Sequence, residues 1–76
     1  MSTIIFCTKH ERFHGKFIVI DWYEGYDIIG KGLSFEVAND LYIERVDDTD
    51  GECDVGIYRM VYNPSESGKL IEVESY

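Results

Sequence analysis

The stretch "GKGLSFEVANDL", Gly30 to Leu41, decides how this chain folds. Its two glycines permit a sharp turn out of an extended segment. Ser34 is a good N-cap, and Glu36 lies in the first turn, where the helix dipole favours an acid. The spacing predicts a helix from about Phe35 to Val46. On a helical wheel Phe35, Val37, Ala38, Leu41, Tyr42 and Val46 form one broad apolar arc, the face expected to meet a core. Arg45 falls within that arc near the helix end and is expected to snorkel outward.

Working outward, the segments on either side read as strands. "KFIVIDW", Lys16 to Trp22, is apolar on both faces at its centre, as in a strand covered on both sides or covered once and partnered once. "YEGY" is a turn, and Tyr26 to Ile29 is a short strand. "TIIFC", Thr3 to Cys7, is another, with Thr8 to Gly15 as a polar hairpin loop. Beyond the helix, "DDTDGECD" is a polar loop turning at Gly51, and "VGIYRMVY", Val55 to Tyr62, is a strand. "NPSESG" reads as a hairpin loop with Pro64 at its first corner, and "KLIEVE", Lys69 to Glu74, as the last strand. The order β-β-β-α-β-β predicts an α+β fold: a twisted, mostly antiparallel sheet of four to five strands with one helix packed on one face, forming a single domain over residues 1–76.

At this size a domain buries only about 60 % of the surface its unfolded chain exposes, so each large apolar residue matters. The chain is 45 % hydrophobic with 11 aromatic residues, enough for a core, which argues against disorder. Its formal charge is −8, unevenly placed. Residues 1–20 carry Lys9, Arg12 and Lys16 against Glu11 alone. Residues 21–76 carry four bases against fourteen acids. Such a chain is repelled by nucleic acid and by anionic membranes, and its natural partners are basic. No apolar run approaches the length of a membrane span, and the start does not have a signal-peptide pattern. The expected location is the cytoplasm, with Cys7 and Cys53 as free thiols.

"CTKHERFHGK", Cys7 to Lys16, contains the zinc-protease spacing H-E-x-x-H at His10, Glu11 and His14. That motif needs a helix to put both histidines on one face, with the glutamate activating a metal-bound water. Here it lies between two strands and runs directly into Gly15. A metal site built from Cys7, His10, His14 and Cys53, or a hydrolytic use of Glu11, is the alternative function; no cofactor and no catalysis are expected. "DDTDGECD" resembles a calcium loop, but aligning Gly51 to the loop glycine puts Val46 and Ile57 where acids are needed. Gly30-Lys31-Gly32 lacks the ending of a phosphate loop. Ser65 and Ser67 are turn residues.

The helix carries the most informative pattern. Glu36, Asp40 and Glu44 follow at i, i+4, successive carboxylates about 6 Å apart along the axis. Like charges so placed repel by a few tenths of a kcal/mol each. Asp47 and Asp48 extend the row, Asp50, Glu52 and Asp54 add to the same end, and Ile43 sits among the acids. Trp22, Tyr23 and Tyr26 are typical interface residues. The partner-binding set is therefore Glu36, Asp40, Ile43, Glu44, Asp47, Asp48 and Asp50; the competing view is a solvated helix face. In "KFIVIDWYEGYDIIGKGLSFEVANDL" and "EVANDLYIERVDD" the chain resembles, in size, acidity and simple α+β plan, the small phage-encoded inhibitors of host proteins, including anti-CRISPR proteins and DNA mimics. The resemblance implies a non-enzymatic inhibitor in the host cytoplasm that blocks a basic nucleic-acid-binding surface. A subunit adding an edge strand to a larger sheet is a third possibility.

Overall fold

Residues rich in β-branched and aromatic side chains crowd five short runs, and each becomes a strand. The computed structural model describes residues 2–74. Its strands are β1 (Ser2–Thr8), β2 (Phe17–Asp21), β3 (Asp27–Leu33), β4 (Val55–Tyr62) and β5 (Leu70–Glu74), with one helix, α1 (Phe35–Asp48). Single 3-10 turns occupy Glu11–Phe13 and Pro64–Glu66. The fold is α+β, and its five strands form one sheet in the order β3-β2-β4-β1-β5. The β2/β3, β2/β4 and β1/β5 ladders are antiparallel, whereas β1 and β4 run parallel.

This order corrects two local expectations. Neither the segment after β1 nor "NPSESG" is a hairpin loop. β4 inserts between β1 and β2, and β1 inserts between β4 and β5. Passing over one intervening strand spans two inter-strand spacings, about 9.5 Å, which a tight turn cannot reach. Both segments therefore carry a 3-10 turn and bond to the strand they cross. Asn63 and Gly68 donate N–H to the carbonyls of Thr8 and Cys7, and Gly15 donates to Met60. Turn residues announce a change of direction but do not say which strand lies alongside.

The glycines of the opening stretch lie inside β3, which runs to Leu33 rather than ending at Ile29. Gly30 makes room for the helix: a Cβ there would sit 2.9 Å from Leu41 Cδ1. Gly32, at φ 68°, stands where the β2/β3 register slips. Ser34 caps α1 as expected, its side chain accepting the Val37 N–H at 3.3 Å. The helix runs two residues past Val46. Its end is closed by Gly51 (φ 84°), whose N–H reaches the Val46 carbonyl.

Strand register sorts the side chains onto two faces. Val19 pairs with Gly30, over which Leu41 lies, so Phe17, Val19 and Asp21 face the helix. Ile18 and Ile20 face the other way, where with Phe6 and Met60 they form a buried cluster, packed by Phe13, Trp22, Tyr58 and Leu70. Ile18, Val19 and Ile20 are all fully buried, so β2 is covered on both faces. The helix rests on β2, β3 and β4. It meets them through Ala38, Leu41 and Arg45, with Phe35 edge-on against Phe17 although more than half exposed, whereas Val37 and Tyr42 are exposed. The predicted apolar arc was too wide because a single helix touches a sheet along a narrow stripe.

Candidate functional site

The end of β2 and the end of α1 converge on one carboxylate. Asp21 Oδ1 accepts the backbone N–H groups of Tyr23 (3.0 Å) and Asp54 (3.1 Å). Its Oδ2 accepts Arg45 Nη1 at 2.9 Å, and Arg45 Nη2 reaches Asp27 Oδ2 at 3.2 Å. Arg45 thus turns inward rather than snorkelling to solvent. A buried carboxylate is costly unless it is paired and hydrogen-bonded, and Asp21, almost wholly covered, supplies that need. The Tyr23 N–H, then that of Asp54, with Arg45 adding to them, holds the Asp21 carboxyl below its ordinary value against the opposing effect of burial.

Around this knot opens a cleft of about 620 Å³. The β2–β3 turn supplies Tyr23, Glu24, Tyr26 and Asp27, and the helix end and following loop supply Arg45, Asp48, Thr49 and Glu52. Five carboxylates face one guanidinium there. Arg45 pairs with both Asp21 and Asp27, while Glu24, Asp48 and Glu52 make no ion pair with a described residue. The aromatic wall is held from behind: Trp22 packs edge-on against Tyr26 at 5.1 Å and donates its indole N–H to the Tyr58 hydroxyl at 3.0 Å. Tyr23 and Tyr26 are left more than half exposed.

Of the seven predicted partner-binding residues, Asp48 lines the cleft. Glu36, Asp40, Ile43, Glu44 and Asp47 lie on the exposed part of the helix, and Asp50, at φ 56°, sits in the turn after it. Ile43 is half exposed among them. The helical repeat puts Glu36, Asp40, Ile43 and Asp47 opposite Ala38 and Arg45, so the row points away from the sheet. Asp47 and Asp48 stand at the negative end of the helix dipole, which costs about 0.3–1 kcal/mol for each acid. Asp21, Tyr23, Glu24, Tyr26, Asp27, Arg45, Thr49 and Glu52 complete the cleft and lie outside the predicted partner-binding set, although Tyr23 and Tyr26 were read as interface residues. "DWYEGYD" carried the available signal: two aspartates bracketing an aromatic turn.

The alternative metal ligands do not converge. The HERFH segment forms one 3-10 turn, not an α-helix, and His14 Nδ1 accepts the Tyr62 N–H at 2.9 Å. Cys7 points to the helix side of the sheet, while His10 packs against Phe13 on the other side. Cys53 precedes the start of β4 and Cys7 pairs near its end, a separation of roughly 25 Å at strand rise. Among the described residues, no group of three or more His, Cys, Asp or Glu side chains is placed to hold a metal ion. Cys7 is fully buried, and burial, with Glu66 adding to it, pushes its thiol above the ordinary value. No helix among the described residues is long and apolar enough to cross a membrane. Compared with protein-family models, with curated proteins and with solved structures, the chain matches none.

Proposed function

We propose that this protein is a small acidic, non-enzymatic inhibitor that docks its helix face and the adjoining cleft onto a basic, nucleic-acid-binding surface of a host protein, in the manner of the phage-encoded inhibitors it resembles. The observation that carries this reading is continuity. The solvent-facing row on α1 runs into a cleft whose remaining free carboxylates, Glu24, Asp48 and Glu52, stand beside two exposed tyrosines. A partner arginine entering there would meet carboxylates and aromatic rings together, the two groups that recognise a guanidinium. The row copies charge density rather than phosphate spacing, since its charges recur at about 6 Å along the helix against about 3.4 Å along one DNA strand. Arg45 holds Asp21 and Asp27 in place, which shapes the cleft, and no catalytic role is assigned to them.

The test is an affinity pull-down from host lysate at low and high salt, with bound proteins identified and then challenged with nucleic acid. The expected result is a nucleic-acid-binding protein that is released by salt and displaced by nucleic acid. A partner that stays bound in salt and binds nucleic acid at the same time would refute the proposal.

A further inference from the structure

On the sheet face away from the helix lies a groove of about 160 Å³, far smaller than the acidic cleft and of opposite character. Its walls are Phe6, Phe13, Ile18, Ile28 and Met60, and its rim carries Lys9, His10 and Lys31. In a chain with fifteen acids, none lines this groove. Lys9 and Lys31 are exposed and make no ion pair with a described residue. The groove is also built rather than incidental. Gly32 leaves the space that the Phe13 ring fills, for a Cβ there would sit 2.6 Å from Phe13 Cε1, and the Gly32 N–H meets Met60 Sδ at 3.4 Å. Arg12 stacks over the same ring, 4.9 Å from its centre, adding a third base beside the rim.

We infer that this groove receives one bulky apolar side chain carried on an acidic segment of a partner protein. The volume selects a single anchor, since pockets for drug-sized ligands run to about 300–1,000 Å³. The rim selects negative charge beside that anchor. Glu72 and Glu74 of β5 share this face of the sheet, and Glu11 and Glu66 flank the lining residues His10 and Ser67, but none of the four lines the groove, so the rim bases are the charges nearest a bound segment. The helix acids lie across the sheet at roughly 15 Å, one packing layer plus a helix radius, beyond the Debye length of about 8 Å at physiological salt. The rim bases act at contact distance, where screening is weak.

The test is an NMR titration of the whole protein at physiological salt with three end-blocked pentapeptides, DDFDD, KKFKK and DDADD. DDFDD is expected to shift resonances of Lys9, Phe13, Ile28, Lys31 and Met60, and to bind about tenfold or more tighter than either control. The surface double variant Lys9→Glu with Lys31→Glu, checked for an unchanged dispersed spectrum, should lose about tenfold for DDFDD and gain for KKFKK. Equal binding of DDFDD and KKFKK would reduce the groove to an apolar patch and overturn the inference. So would DDFDD shifts confined to other surfaces, no binding of DDFDD, or insensitivity of its binding to the double variant. Peptide-free, concentration-dependent shifts at the groove that vanish in Ile43→Asp would assign it to a second copy of the chain, and would equally overturn it.

Discussion

Asp21 serves three partners from one carboxylate: the β2–β3 turn through Tyr23, the loop before β4 through Asp54, and the helix through Arg45. Asp21→Asn keeps one acceptor oxygen but turns an amide donor toward the guanidinium, leaving two donors face to face. The variant should therefore melt several degrees below the parent at pH 7, by circular dichroism. The pH dependence follows from the lowered folded value. Between the ordinary value of 3.8 and that lower one, the unfolded chain binds the proton that the folded chain does not. The ionised group's contribution is thus fully present above about pH 4 and is lost as pH falls through the folded value. The gap between parent and variant should be constant from pH 7 to about 5 and should close on further acidification. A gap independent of pH down to 2 would show that the charge on Asp21 is not what holds the knot.

At the scale of elements, α1 separates a face packed on the sheet from the exposed acidic face proposed to bind a partner. Replacing Glu36, Asp40 and Glu44 together by Lys tests the second without touching the first, because all three are exposed. Lys is a fair helix former, and new pairs with Asp47 and Asp48 become available. Loss of the first-turn acid Glu36 costs about 0.3–1 kcal/mol, so stability should change by no more than about 1 kcal/mol. Binding to the basic partner should collapse, as three attractions become three repulsions. Lys69→Glu with Arg59→Glu is the matched control and should matter far less. A folded triple variant that binds as the parent does would make the helix face a solvated surface only. The element pattern itself was legible because it rests on local signals: Ser34 as cap, the β-branched run at Phe17 to Ile20, and the acid row at i, i+4. Strand order was not, because nothing local in "NPSESG" tells whether the next strand lies beside β4 or one strand further on. The cleft was half legible for the same reason. Asp48 was visible on the helix, but its neighbours Glu24 and Asp27 are brought to it only by the packing of α1 across β2 and β3. Arg45 was misjudged because its partner, Asp21, is 24 residues away.

Over the whole molecule, acids crowd the helix and the cleft around Arg45, while Lys9, Arg12 and Lys31 gather at the groove beyond the sheet, a face that also carries Glu72 and Glu74 on β5. Such crowding has a thermodynamic signature. At 10 mM salt the Debye length is about 30 Å, so nearly every acid feels every other, whereas at 150 mM it is about 8 Å. The like pairs Glu36–Asp40, Asp40–Glu44 and Glu44–Asp48 each oppose the fold by about 0.2–0.5 kcal/mol at low salt. Screening also weakens the attraction of Arg45 for Asp21 and Asp27, but the first of these pairs is largely shielded from solvent and is screened least. Relief of repulsion should win. The melting midpoint at pH 7 should rise by a few degrees between 10 and 150 mM sodium chloride, given roughly 4–8 °C per kcal/mol for a domain of this size. The triple lysine variant, its formal charge brought from −8 to about −2, should lose at least half of that rise. A parent midpoint that falls with added salt would mean that the attractions around Asp21 outweigh the repulsion along the helix. The acid row would then carry no measurable stability cost, and its retention would need no partner to explain it.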